Sequence, residues 1–152
     1  MIDNPPMATA GYSGTPLAKK LGIKPGHRVA FVRAPEGYAE LLALPEEVHV
    51  LARPGKRMDV VQFFTKRLGE LERALPRLTD AIAPDGALWV SWPKKASKVA
   101  TDVTEDEIRN LALSTDLVDV KVCAVDEVWS GLKLVIRKEL RQAQADKLAV
   151  AD

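Results

Sequence analysis

Cysteine occurs once, at Cys123, so no internal disulfide can staple the fold. The two histidines, His27 and His49, stand at the starts of apolar runs, and no CxxC, HExxH, GxSxG or Walker pattern occurs. The chain therefore gives no ground for a histidine–cysteine metal site or an activated serine or cysteine nucleophile, and no catalytic residue is expected. Charge of one sign is also lacking. Lys and Arg number 22 against 21 Asp and Glu, and a net charge of +1 leaves no global field to draw in nucleic acid or an anionic membrane. Aromatics are few: three Trp, three Phe and two Tyr. No apolar run approaches the roughly 18–20 residues of a membrane span, and the opening Met1-Ile2-Asp3-Asn4-Pro5-Pro6 has neither the positive flank nor the apolar stretch of a signal peptide. A cytoplasmic location and no membrane partner are the expectation. What is present is an ordinary globular balance over 152 residues, 47% hydrophobic and 28% charged, enough for one domain with its own core.

Periodicity orders that core. Residues 1–10 are expected to be a flexible tail, 11–140 a single domain, and 141–152, Ala-rich without an apolar stripe, a second tail. Thr15-Pro16 and Gly22 bracket a short helix. The compact apolar runs at 28–33, 48–51, 60–64 and 87–92 read as strands buried on both faces. Leu68, Leu71, Leu75, Leu78 and Ile82 recur at helical steps, with Pro76 expected to kink or split the helix. Pro84-Asp85-Gly86 reads as a turn. Thr104 and Glu107 form a capping box that opens another helix. Runs at 117–125 and 132–137, joined through Trp129 and Gly131, read as an antiparallel pair. Strands alternating with helices predict a three-layer Rossmann-like α/β domain, its sheet mostly parallel with an antiparallel C-terminal pair. Only six residues separate Ala52 from Asp59, which leaves a hairpin at Pro54-Gly55 as the alternative to a parallel crossover without a helix.

The helix, Pro-Asp-Gly turn and apolar strand over 78–92, together with the closing strand pair, resemble the class I methyltransferase-like fold. The stretches GYSGTPLAKKLGIKPG at 11–26, DGALWVSWPKKAS at 85–97 and VDEVWSGLKLVI at 125–136 are similar to a narrower family of small bacterial proteins known as a domain of unknown function. That resemblance covers about residues 11–138, and it implies a reduced methyltransferase-like sheet without implying an activity. The chain departs from the methyltransferase pattern where the cofactor would be held. The turn after the first strand, Arg33-Ala34-Pro35-Glu36-Gly37, has a single glycine, and the second strand ends in Arg53, where a carboxylate for ribose hydroxyls is expected. One strand and two helices of the pattern are missing as well. Arginines beside a sulfonium disfavour S-adenosylmethionine unless Glu36 compensates, so the expected cofactor is none.

In open α/β sheets ligands bind outside the carboxyl ends of the strands. The residues expected there are Arg33, Arg53, Lys66, Arg67, Lys94, Lys95 and Lys98, with Glu36 the one acid among them. Residues 86–101 contain no acid at all, while Glu70 and Asp102 fall on helices expected elsewhere. With the N–H groups of the Pro35–Gly37 turn, this edge predicts a noncatalytic binding or regulatory protein that accepts a small phosphate-bearing anion. Two alternatives remain: a minimal or degenerate S-adenosylmethionine-dependent methyltransferase, or an interaction module. In the module reading, Trp92 beside Pro93, Lys94 and Lys95, with Tyr12 and Trp129, would stack nucleic-acid bases, or Asp126, Glu127 and Trp129 would contact a protein partner.

Overall fold

The computed structural model describes residues 15–151; the tail expected at 1–10 and Tyr12 lie outside them. Six strands form one sheet in the order β2-β1-β3-β4-β6-β5. β1 (Arg28–Val32) lies between β2 (His49–Leu51) and β3 (Met58–Phe64), parallel to both, and β3 pairs in parallel with β4 (Ile82–Pro93). β6 (Trp129–Ile136) then inserts antiparallel between β4 and β5 (Leu117–Ala124). The expected α/β class, mostly parallel with one antiparallel pair, is the one observed. The hairpin alternative is excluded, because β1 separates β2 from β3. Six residues, 52–57, make that crossover without a helix, reaching about 20 Å when extended.

Each face of the sheet carries its own core. On one, α3 (Leu68–Ala81) and α4 (Glu105–Ala112) cover Val61, Phe63, Leu88, Val90 and Leu134. On the other, α1 (Leu17–Lys20), α2 (Tyr38–Leu41) and their flanking loops cover Val29, Val60, Phe64 and Trp89. Strands covered on both faces favour apolar residues on both sides, hence the largely apolar runs in β3 and β4, interrupted within the core by Gln62 and Ser91. The buried Trp89 indole donates to the Leu21 carbonyl at 3.1 Å, tying the end of α1 to the sheet.

Four local expectations are corrected. Pro76 does not split its helix: α3 runs through it, with the ring on the exposed side, where a missing N–H is least costly. Pro84-Asp85-Gly86 is an outward loop within β4 instead of a turn before it. Met58 pairs with Ile82 and Val60 with Ala87, so three extra residues of β4 leave the ladder there. Gly86 has to be glycine, since a Cβ would stand 2.6 Å from the Met58 carbonyl oxygen. Trp129 and Gly131 belong to β6 and not to the loop before it, because both pair with β4, with Pro93 and Ser91. Residues 141–151, read as a tail, form α5 (Arg141–Ala151). Two buried residues one helical turn apart hold it. Gln144 Nε2 donates to the carbonyls of Thr79 (3.1 Å) and Ile82 (2.8 Å), and Leu148 packs inward.

At the sheet's edge β5 leaves Val118, Val120 and Val122 exposed, and its register shifts between Asp119 and Lys121. No helix among the described residues is long and apolar enough to cross a membrane.

Candidate functional site

The strand order reverses between β1 and β3, since the chain leaves β1 outward to β2 and then returns to lay β3 on the other side of β1. At the carboxyl ends of these two strands lies a crevice of about 500 Å³. Arg33 and Pro35 line it from the turn after β1, Phe64, Thr65, Lys66 and Arg67 from the end of β3, and Glu70 from the first turn of α3. Val99, Val128 and Trp129 close the far side.

Local backbone chemistry places each group. Arg33 takes a left-handed conformation (φ 61°), which costs a non-glycine residue about 1–3 kcal/mol and persists only when its surroundings fix it. Its guanidinium pairs with Glu70 at 3.3 Å and lies 5.9 Å from the centre of the Phe63 ring. Gly37 (φ 78°) then starts α2, bringing Tyr38 inward. The Glu70 carboxylate also accepts from Thr65 Oγ1 at 2.8 Å, so it is held from two sides. Asp102 accepts from the Leu68 N–H at 2.7 Å, and its own N–H donates to the Lys66 carbonyl, which draws a second acid to this edge. Lys66, Arg67, Glu70, Arg73 and Asp102 together line an adjoining hollow of about 570 Å³.

Beneath the crevice runs a polar chain. Tyr38 donates its hydroxyl proton to Gln62 Oε1 at 2.7 Å, and Gln62 Nε2 donates to Ser91 Oγ at 2.9 Å, all three residues buried. Burial holds the Tyr38 hydroxyl neutral well above the usual tyrosine range, more than the hydrogen bond to Gln62 offsets. The rings continue upward: Phe31 meets Tyr38 at 5.5 Å, Tyr38 meets Phe64 at 4.9 Å and Phe64 meets Trp129 at 5.1 Å, each edge to face. Sequence reasoning missed this floor and Glu70. A helical reading that placed the first turn of α3 directly under the end of β3 would have found the acid.

The expected ring of cations is gathered only in part. Arg33, Pro35, Lys66 and Arg67 meet at the crevice, while Glu36 is exposed and does not line it. Arg53 stands at a different, larger cavity. Lys94, Lys95 and Lys98 lie on and around a short 3-10 turn, Lys95–Ser97, and none lines the crevice. The Lys94 N–H instead donates to the Val128 carbonyl at 2.7 Å. Trp92 is buried against the α3 face and has no surface on which a base could stack. Trp129 is half-buried against Phe64 and does not project from a loop. Asp126 is occupied locally, accepting from the N–H groups of Val128 and Trp129 at 2.8 Å each, and Glu127 is exposed. His27 Nδ1 accepts from the Lys24 N–H, a turn contact.

No protein-family model matches this chain, and no curated protein does. Solved structures do. An S-adenosylmethionine-dependent methyltransferase from Aquifex aeolicus superposes with a TM-score of 0.57 at 16% identity, over 79% of this chain and 87% of that one. A putative type 11 methyltransferase from Sulfolobus solfataricus gives 0.58 at 14% identity, over 80% and 90%. An O-methyltransferase of neocarzinostatin biosynthesis, solved with S-adenosylmethionine, gives 0.55 at 12% identity, over 73% and 49%. The fold is thus the methyltransferase-like one. This finding overturns the expectation of a noncatalytic protein accepting a phosphate-bearing anion and favours the methyltransferase alternative. The electrostatics agree with the correction: Glu70 pairs with Arg33 and Asp102 sits beside Lys66, so the rim expected to be uniformly basic carries both signs.

Proposed function

We propose that the chain is a pared-down S-adenosylmethionine-dependent methyltransferase that holds the cofactor in the crevice at the ends of β1 and β3. The single observation that carries the reading is the position of that crevice at the reversal of strand order, in a sheet of methyltransferase-like topology. The donor set suits the amino-acid half of the cofactor. Lys66 and Arg67 offer cations to its carboxylate, and Glu70, fixed by Arg33 and Thr65, offers its remaining lone pairs to the ammonium group. The Trp129 indole suits a sulfonium, because an aromatic face attracts a ligand cation by about 0.5–2 kcal/mol. Pro35, Phe64, Val99 and Val128 supply apolar walls for the nucleoside and keep water out. The ribose is served less well, since Arg53 is exposed and lines a separate cavity. Lack of one charge-assisted hydrogen bond there weakens binding by about 1.5–3 kcal/mol, or about ten- to a hundredfold. When bound, the cofactor supplies an electrophilic methyl carbon; the residues named here orient it and shield it.

Calorimetry and tryptophan fluorescence with S-adenosylmethionine and S-adenosylhomocysteine test this reading. Saturable one-to-one binding is expected, weakened about tenfold by Glu70→Gln, a near-isosteric change that removes the anion. Thermal melts of the variant control for folding. No saturation at millimolar ligand, or equal binding by Glu70→Gln, refutes the proposal.

A further inference from the structure

A further cavity, of about 950 Å³, is lined in part by Phe63 and falls within the range of about 300–1,000 Å³ typical of small-molecule sites. Its interior is apolar: Val32 from β1, Phe63 from β3, Ala74, Leu78 and Ala81 from α3, and Leu148 from α5. The six-residue β2–β3 crossover contributes Arg53 and Lys56 to its mouth in place of a covering helix, and α3 and α5 add Arg77, Asp80 and Lys147. Among the described lining residues Arg53 and Arg77 are cations, and the one carboxylate, Asp80, is paired with Lys147 at 3.0 Å. The site is an oily slot with a positive rim.

We propose that this cavity binds a medium-chain fatty carboxylate, its alkyl chain along the wall formed by Val32, Pro54 and the edges of α3 and α5 and its carboxylate at Arg53 and Arg77. Shape narrows the choice. Phe63, Leu78 and Leu148 are each only 3% exposed, so they offer a thin apolar wall that suits an alkyl chain better than a helix about 10–12 Å across. Chemistry narrows it further. The interior offers no side-chain donor or acceptor to a nucleobase or sugar, whose polar groups would be buried unpaired, whereas a chain of methylenes leaves none. Both rim guanidiniums are exposed and present the donor fork that suits a carboxylate. The site is independent of the methyltransferase reading, because Arg53 and Arg77 have no part in the crevice at the ends of β1 and β3.

Calorimetry of the full chain with decanoate, octanoate, hexanoate and the uncharged 1-decanol tests the proposal. Decanoate is expected to bind one to one, with each methylene removed weakening it about fourfold. 1-Decanol is expected to bind more weakly than decanoate. Arg53→Glu plus Arg77→Glu changes exposed residues only, so the fold survives, and it is expected to weaken decanoate about tenfold or more. Ala74→Met extends a side chain into the slot and is expected to weaken binding with the rim intact, its thermal melt reporting folding. No saturable decanoate binding, affinity independent of chain length, or equal binding by the charge-reversed variant overturns the proposal.

Discussion

Tyr38→Phe removes one oxygen from the molecule and tests the polar chain beneath the crevice. In the folded protein Tyr38 is the donor to Gln62 Oε1, and Gln62 is 0% exposed, so no water replaces the lost hydroxyl. A buried acceptor left without a partner costs about 1–3 kcal/mol. For a domain of this length each 1 kcal/mol moves the melting temperature about 2–4 °C, so a loss of about 2 kcal/mol appears as a drop of about 4–8 °C. Replacing all three members with apolar groups, Tyr38→Phe with Gln62→Met and Ser91→Ala, is expected to cost less than the sum of the single changes, because no orphaned group remains. The same hydroxyl sets an alkaline limit. Its proton is held in the fold to a higher pH than in the unfolded chain, so below about pH 10 both states are neutral and the full contribution is present. Above that pH the unfolded chain releases a proton the folded one keeps, and stability falls by up to about 1.4 kcal/mol per pH unit. Urea titrations of the wild type and Tyr38→Phe from pH 7 to 11 measure both effects; Tyr12 is common to both proteins and cancels. A Tyr38→Phe loss under about 0.5 kcal/mol, or the same alkaline slope in both proteins, refutes the reasoning.

Two further outcomes follow from local geometry. Gly86→Ala sets a methyl group against the Met58 carbonyl at 2.6 Å, with the Ala83 backbone at 3.1 Å on another side; a loss of about 1–3 kcal/mol or more in urea denaturation is expected, and a neutral result would mean the β4 loop yields freely. Cys123 is half-buried, and burial pushes its thiol up more than Lys20 and Lys121 pull it down. Alkylation at pH 7 is therefore expected to be slower than for free cysteine and to reach the free rate in urea, whereas an equal rate in the folded protein contradicts that environment.

The fold class and the C-terminal antiparallel pair were legible because they depend on periodicity, which survives in a single sequence. β3 and β4 are predominantly apolar since both faces of the sheet are covered, and the Thr104 cap opens α4 as its pattern predicts, accepting from the Glu107 N–H at 3.2 Å. Elements fixed by two residues were not legible. Nothing in the composition of α5 marks Gln144 and Leu148 as anchors, because their partners, among them Thr79 and Ile82, lie more than 60 residues earlier. The candidate site was gathered only in part for a related reason. Counting charges along loops placed seven cations at one rim, but the rim is built in three dimensions. Glu70 reaches it from the start of α3 and Asp102 from the segment before α4, while Lys94, Lys95 and Lys98, on and around their 3-10 turn, do not line the crevice. Trp92 looked available beside two lysines, yet strand alternation sends its ring to the α3 core.

The outermost strand, β5, carries a hazard and its remedy together. Exposed valines along a ladder that has no further partner strand among the described residues are a template on which a second chain could grow into a fibril. The irregularity between Asp119 and Lys121 breaks the even spacing of amides that such growth requires, and the exposed Lys121 would be trapped against an incoming copy. Straightening that kink by deleting Val120 would convert a border that repels its own kind into an adhesive one, and sedimentation of aggregates during heating would reveal the change.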